Sequence, residues 1–272
     1  MVLTCELAKS GPPAPLSIGA ADGWVLTDWL ENLLAALAKP PTASGPDQYE
    51  NLLDPLANWR AAPVPDAFER LGRLWGIQGA FPDGPERALL TQFGESVIDV
   101  VARDRAVMVF EADFVTTVVA NDFPEAAGQL KAFRFPEVDG NRPLVVGGDA
   151  MVVFRNSSVG LELVNWLTDG AEPFLAWIQS GGYLSPNKTI QETAYPPGQP
   201  RRFVRDLQDP NQRPHFDLSD RLPGALGGGP GFGMWQILQD FFAAAADGKR
   251  NVKDPVKEAV DRLAAIAARA SG

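Results

Sequence analysis

Four segments of the chain place aromatic residues or glycines next to carboxylates or at a helix start. They are Asp22–Trp24 with Asp28-Trp29, Glu111–Phe114, Gly147–Asp149 and Phe232–Trp235. Carbohydrates bind through aromatic faces under their C–H surfaces and through carboxylates that accept from their hydroxyls, and ionised acceptors make the stronger bonds. The segments are predicted at strand ends and helix starts, where ligands lie in open α/β sheets.

The tryptophans separate into two groups by their position in the predicted helices. Trp235 lies one step off the apolar stripe of its helix and in the first turn, which favours a position facing a cleft. Trp166 and Trp177 lie on ordinary apolar faces, so we interpret both as packing residues.

Glu111 and Asp113 could instead be the carboxylate pair of a glycoside hydrolase. Two residues apart on a strand, their side chains would point to the same face. No general-acid partner is evident in the sequence, so ligand contact or helix capping is the favoured role for these two residues.

Two other features argue against common catalytic sites. The glycine-rich GGGPGFG lacks the lysine and the spacing of a phosphate-binding loop. His215 is the single histidine and Cys5 the single cysteine, which opposes a His-based metal site, a Ser-His-Asp triad, an internal disulfide and a cysteine zinc cluster. We interpret His215 as a surface or internally satisfied side chain, and we predict no metal and no cofactor.

The stretch PLVVGGDAMVVF, residues 143–154, is predicted to organise the fold. Leu144–Val146 and Met151–Phe154 read as a buried strand, because buried strands are continuous apolar runs. Gly147–Asp149 interrupt it, and glycine in a strand marks a bulge or a close approach to a ligand. Two interpretations stay open: a bulge in a core strand, or a strand that crosses between two lobes and faces a cleft.

Helical and strand patterns around this stretch predict an α/β layered fold. Thr27 is the expected N-cap of a helix that Pro40 and Pro41 end. Strands are expected at Pro15–Gly19 and Ala106–Phe110, and one helix from Pro85 to about Arg103. The other predicted helices are Leu3–Ser10, Pro65–Leu74, Gly160–Leu167, Glu172–Ser180, Arg201–Leu207 and those that begin near Met234 and Asp254.

The composition excludes several classes of protein. The 272 residues carry a net charge of −10 and a pI near 4.7, which opposes nucleic-acid binding because that function needs a basic face. No apolar run approaches the roughly 20 residues of a membrane span. Met1–Pro15 lacks the pattern of a signal peptide.

Six motifs in order resemble the extracellular solute-binding proteins of bacterial carbohydrate ABC importers. They are PLSIGAADGWVLTDWLEN, AVMVFEADFV, VVGGDAMVVFRNS, GGYLSPNK, FDLSD and GFGMWQILQDFF. The resemblance covers nearly the whole chain from about residue 3, and its nearest group is the α-glucoside or maltose-type receptors.

The resemblance implies a periplasmic-binding-protein-like, type II, two-lobed fold. Residues 1–148 and 209–272 would belong to the C-terminal lobe, and residues 149–208 would be a return segment of the N-terminal lobe. In family members about 140 residues, the size of an ordinary domain, precede the position of Met1. The chain would then be mainly the C-terminal lobe plus the returning part of the other lobe.

The resemblance also implies a function and a set of site residues. The protein would bind an oligosaccharide or α-glucoside in an interlobe cleft, without catalysis, and pass it to membrane permease subunits. It would act outside the cytoplasm or in the periplasm as a cell-surface lipoprotein, and as a monomer when full-length. The implied ligand-binding residues are Trp24, Asp113, Phe114, Gly148, Asp149, Trp235, Asp22 and Asp28.

A truncated, non-binding remnant of such a receptor is the main alternative. With one lobe mostly absent, a sugar would touch one wall only. The helices around Leu161–Leu167 and Phe174–Ile178 would then expose apolar faces, including Trp166 and Trp177, and the chain would bind sugars poorly and tend to associate.

Overall fold

The computed structural model describes residues 1–40, 47–155, 157–170, 172–229, 231–248 and 251–270. The helices are α1 (Val2–Lys9), α2 (Gly23–Leu37), α3 (Val64–Trp75), α4 (Pro85–Ala88), α5 (Phe93–Val101), α6 (Val115–Asp122), α7 (Pro124–Ala127), α8 (Ser158–Thr168), α9 (Leu175–Ser180), α10 (Gln199–Gln208), α11 (Gly224–Gly227), α12 (Gly233–Ala246) and α13 (Lys253–Ala270). The strands are β1 (Ala14–Ser17), β2 (Ala106–Val109), β3 (Val145–Val146) and β4 (His215–Phe216).

The chain divides into two compact units. Unit 1 comprises Met1–Glu111, Arg134–Val146 and His215–Gly272, and unit 2 comprises Ala112–Phe133 and Gly147–Pro214. The stretch Ala112–Phe133 groups with unit 2, whereas the sequence placed it with residues 1–148. Which lobe of a two-lobed protein each unit represents stays a prediction.

Unit 1 has an extensive apolar core between α2, α3, α12 and α13. Trp75 on α3 is fully buried, and its ring lies 5.1 Å from that of Phe242 and 5.9 Å from that of Phe241 on α12. The apolar stripe predicted for α12 is buried along its length, which confirms its role in packing. This core fixes the N-termini of α2 and α12 beside each other.

Two short parallel sheets complete unit 1, so the chain has an α/β structure that is mostly helical. In the first sheet β1 pairs with β2, with Leu16 opposite Met108. In the second sheet β3 pairs with β4, with Val145 opposite His215. Because parallel strands end at the same edge, the segments after β1 and β2 lie side by side.

Among the described residues, unit 2 has a much smaller core cluster, in which Ile178, Ile190, Tyr195 and Val204 are buried. The Tyr195 hydroxyl accepts a hydrogen bond from the Ser185 amide at 3.0 Å. Ser157 caps α8, because its hydroxyl accepts from the Gly160 amide at 3.1 Å. Every residue of α8 is nevertheless at least partly exposed.

The predicted buried strand is wrong over its second half. Val145 and Val146 pair with β4, but Met151, Val152 and Phe154 form no strand and are 58%, 65% and 82% exposed. A strand needs a neighbouring strand for its backbone groups, and no described segment pairs with this one. The chain does leave unit 1 after Val146, so the interruption at Gly147–Asp149 coincides with a passage between units.

Two helix boundaries also differ from the sequence prediction. Helix α2 begins at Gly23 rather than after Thr27, and the Thr27 hydroxyl donates instead to the Trp24 carbonyl at 2.7 Å. The single helix expected after Pro85 is broken between Ala88 and Phe93, where Gln92 and Glu95 form a capping box that starts α5. The capping box sets the start of α5, whereas α2 begins at Gly23 without a side-chain cap.

Within the part of the chain that the structure describes, no helix combines the length and the apolar character that a bilayer crossing requires.

Candidate functional site

Trp24 and Trp235 lie together in unit 1, where α2 and α12 begin. A Cβ atom added to Gly23 would lie 2.5 Å from the Cβ of Trp235, so only glycine lets the two helix starts approach this closely. Both tryptophans are partly exposed, unlike the apolar residues of α12 that follow Trp235. The tertiary structure therefore places the two helix starts that carry Trp24 and Trp235 next to each other.

Asp22 precedes α2 and is committed to a structural hydrogen bond. Its carboxylate accepts from the Phe93 amide at 2.7 Å, at the first residue of α5. The Trp24 and Phe93 rings are 5.5 Å apart. Asp22 therefore holds the start of α5 against Trp24, and it is a positioning residue in this structure.

Asp28, one turn into α2, is a partly buried acid that faces other acids. Burial, followed by the charge of Asp217 and a hydrogen bond with it, raises the pKa of Asp28 from 3.8 to about 8, and Asp220 adds to the effect. Two carboxyl groups in contact cannot both ionise cheaply. Asp28 is therefore largely protonated at pH 7, and it can donate as well as accept a hydrogen bond.

Glu31 is fully buried and connects α2 to the turn after β4. Its carboxylate accepts from the Leu218 amide at 2.7 Å and from the Ser219 amide at 3.0 Å, and the Tyr49 hydroxyl donates to it at 3.3 Å. Burial raises the pKa of Glu31 well above its usual value and Asp217 raises it further, whereas the two amides lower it. The two amides thus offset only part of the effect of burial on this carboxyl group.

Sequence reasoning missed this role of Glu31. The available signal was the apolar run around it, Trp29–Leu34, because a helix that is apolar all round is buried and a charged residue inside it needs partners.

Glu111, for which the sequence favoured ligand contact or helix capping, is a further acid near Asp28 and Asp22. Both of its carboxylate oxygens are buried and have no hydrogen-bond partner among the described residues. Burial, with the charges of Asp28 and Asp22, raises its pKa from 4.5 to about 8. Glu111 follows β2 and completes a group that we call the strand-end group: Asp22, Trp24, Asp28, Glu111 and Trp235.

The remaining predicted site residues, Asp113, Phe114, Gly148 and Asp149, are exposed and belong to unit 2. Phe114 precedes α6 and is 40% exposed. Asp149 lies near Tyr183, whose pKa is raised first by burial and then, to a smaller extent, by the charges of Tyr195 and Asp149. The structure thus brings Trp24, Trp235, Asp22 and Asp28 together in one unit and leaves the other four in the second.

The strand pair expected for a glycoside hydrolase is absent from the described residues. Strand β2 ends at Val109, so Glu111 and Asp113 do not share a strand face. The Glu111 oxygens are buried in unit 1, whereas Asp113 is an exposed residue of unit 2.

Three further tryptophans are now assigned. Trp29 is core, with its ring 4.7 Å from that of Phe110. Trp166 and Trp177, which the sequence interpreted as packing residues, are 57% and 56% exposed. The Trp177 ring nevertheless lies 5.5 Å from that of Phe174.

The glycine-rich segment and His215 have packing roles. A Cβ on Gly228, whose φ is +108°, would lie 2.9 Å from the Trp235 amide nitrogen and 3.0 Å from that of Met234, so this turn folds tightly over the start of α12. Pro230 of this segment lies outside the described residues. His215 is buried rather than on the surface, and its ring lies 4.8 Å from that of Tyr49.

Among the described side chains, no group of three or more His, Cys, Asp or Glu residues is arranged to hold a metal ion.

The chain is 26% identical over 230 residues to the osmoprotective compounds-binding protein GgtB of Synechocystis sp.. The match covers 84% of this chain and 52% of that protein, so the chain spans about half the length of the curated relative it matches. No family model matches the chain, and no solved structure matches it significantly. The relative is named as a binding protein, and not as an enzyme.

Proposed function

We propose that this chain is the solute-binding component, or part of it, of an ABC importer for a carbohydrate such as an oligosaccharide or α-glucoside. The observation that carries the proposal is the strand-end group, in which two partly exposed tryptophans lie beside carboxyl groups at the edge where β1 and β2 end. Ligands of α/β proteins bind at such edges. The similarity to a binding protein supports a role without catalysis.

The protonation of the acids suits a ligand rich in hydroxyl groups. A hydroxyl both donates and accepts, and a neutral carboxyl group does the same. Asp28 and Glu111, whose pKa values are raised to about 8, are mostly neutral at pH 7. They would therefore bind a neutral sugar without burying an unpaired charge, while Trp24 and Trp235 cover its C–H faces.

The test is ligand-detected NMR, which registers binding in the millimolar range, with maltose and trehalose on residues 1–272. We expect saturation transfer to at least one sugar, and we expect Trp235→Ala and Trp24→Ala each to weaken it about tenfold or more. Trp166→Ala is the matched control, because it removes an exposed tryptophan of unit 2. Binding that survives both site variants, or no binding of any sugar, would contradict the proposal.

Quaternary ammonium solutes are the second ligand class, because the relative is named for osmoprotective compounds. Tryptophan faces bind such cations by cation–π interaction. Glycine betaine is the probe for this arm of the experiment. Because acids near the tryptophans would stabilise a cation only when ionised, betaine binding should strengthen as the pH rises to 9, whereas sugar binding should not.

We also propose the cellular setting that accompanies this function. The protein would have the two-lobed type II fold, act outside the cytoplasmic membrane, deliver its solute to membrane permease subunits and be a monomer at full length. Co-purification of the full-length protein with a permease from solubilised membranes, enhanced by the sugar that binds, would test these points together.

We expect no glycoside hydrolase activity. Glu111 and Asp113 do not share a strand face, and the Glu111 oxygens are buried. The measurement is glucose release from α-glucosides. A release that Glu111→Ala or Asp113→Ala abolishes would show that the protein is an enzyme.

A further inference from the structure

Helix α2 contacts the segments on which the chain leaves and re-enters unit 1. The chain leaves after Glu111 and returns at Arg134. Trp29 of α2 contacts both sides of this excursion, because its ring lies 4.7 Å from that of Phe110 and 5.7 Å from that of Phe135.

The second excursion begins after Val146 and ends at His215, and α2 holds its ends too. Glu31 accepts from the Leu218 and Ser219 amides, just after β4. On the other side of β3, the Asn141 amide group donates to the Ala36 carbonyl of α2 at 2.9 Å. Strand β4 is paired with β3, so both passages are fixed to the same helix.

Acids face one another at these attachment points. Asp28 is faced by Asp217 and Asp220 from the turn after β4, by Glu31 from its own helix and by Glu111 from the end of β2.

Glu111 is also faced by Asp22, which precedes α2, and by Ser96 of α5, whose hydroxyl donates to the Phe93 carbonyl. The Tyr49 hydroxyl donates to Glu31 and to the Phe216 carbonyl.

We propose that attachment of these passage segments to α2 depends on protons held by Asp28 and Glu111. The two buried oxygens of Glu111 are the geometric basis, because an ionised carboxylate in that position would have no donor other than the Ser96 hydroxyl, which already donates to the Phe93 carbonyl. The second geometric basis is the contact of Asp28 with Asp217, because two ionised carboxylates would repel each other there. Detachment exposes both acids to water, where they lose their protons.

The direction of the pH effect follows from the pKa values. Burial and neighbouring acids raise the pKa values of Asp28 and Glu111 to about 8 in the attached state, whereas exposed acids titrate near their usual values of 3.8 and 4.5. Between these limits the detached state binds fewer protons. Raising the pH therefore favours detachment, by about tenfold per pH unit for each proton released, up to about pH 8.

The test is amide hydrogen exchange of Leu218 and Ser219 in residues 1–272 between pH 6 and pH 8, corrected for the intrinsic pH dependence of exchange. We expect their protection to fall about tenfold or more per pH unit. Glu111→Gln and Asp28→Asn each keep the shape of the side chain and cannot release a proton. Each variant should reduce the number of protons released on detachment by about one, and the double variant by about two, which leaves the part due to Glu31, whose pKa is also raised.

Glu258→Gln is the matched control, because Glu258 is an exposed acid on α13, and it should keep the full pH dependence. The wild-type series decides the question even where a variant fails to fold. Protection that stays constant from pH 6 to pH 8 in the wild-type protein, or an unchanged dependence in the double variant, would overturn the proposal. The proposal concerns the chain alone and holds whichever solute it binds.

Discussion

Units 1 and 2 both contain amphipathic helices, but α8 of unit 2 leaves its apolar side exposed, whereas α3 and α12 of unit 1 bury theirs. Trp75 on α3 has no exposed surface, whereas Trp166 on α8 is 57% exposed. Helix α12 buries its apolar stripe between α2, α3 and α13. Helix α8 also carries leucines and a tryptophan, yet Leu161 and Leu163 are 52% and 48% exposed.

The difference teaches that amphipathic pattern predicts a helix and an apolar side, and does not predict a partner. An apolar surface contributes to stability only when another surface removes it from water. Monomeric proteins seldom expose large contiguous apolar patches, and such patches mark interaction surfaces. The apolar side of α8 is therefore the part of unit 2 most able to associate.

The largest expected effect comes from replacing a buried tryptophan of unit 1 by alanine, compared with the same change at an exposed tryptophan of unit 2. Trp75→Ala should lower the free energy of unfolding by about 3–5 kcal/mol, because it leaves a cavity beside Phe241 and Phe242. Trp166→Ala should change it by less than about 0.5 kcal/mol. Urea unfolding of both variants measures the contrast, and equal losses would show that the burial difference between the units is not real.

A smaller loss is expected from the buried acid of unit 1. Glu31→Ala should lower the free energy of unfolding by about 2–4 kcal/mol, because it leaves the Leu218 and Ser219 amides without an acceptor. Glu31→Gln keeps one acceptor oxygen and should cost less. Glu86→Ala, at an exposed acid, is the control and should be nearly neutral. An unchanged free energy of unfolding in the Glu31→Ala variant would show that this residue does not anchor the turn after β4.

The core of unit 2 should respond by about 1 kcal/mol to loss of a single hydroxyl. Tyr195→Phe removes the acceptor of the Ser185 amide while keeping the buried ring. Hydrogen exchange at Ser185 should accelerate several-fold, whereas amides of α12 in unit 1 should not change. Acceleration in both units alike would show that they unfold as one cooperative body.

The smallest effect on stability, with a change in association, is expected on α8. Leu161→Gln combined with Trp166→Gln should leave the circular dichroism spectrum unchanged and lower the light scattering of concentrated samples. Leu90→Gln is the matched control, because Leu90 of unit 1 is 71% exposed and lies outside α8. Scattering that is unaffected by the α8 variant, or reduced as much by the control, would exclude α8 as the associating surface.

Much of the site was predictable because its parts are local. Residue types beside strand ends and helix starts identify three of these parts: the D-G-W segment, the acid after β2 and the tryptophan in the first turn of α12. The grouping of Trp24 with Trp235 was not predictable by local rules, because it depends on a glycine contact between residues 212 positions apart. The resemblance to sugar receptors implied both tryptophans without implying that contact.

The sequence by itself determined the helices with long apolar stripes, the strands β1 and β2 and the α/β class, since these follow from spacing along the chain. Only the tertiary structure decided which apolar segments are buried. Met151–Phe154 reads as a core strand and is exposed, because burial and strand pairing depend on a partner elsewhere in the chain. It also decided the charge of Asp28 and Glu111, because the pKa of a carboxyl group depends on the burial and the neighbouring charges that folding brings to it.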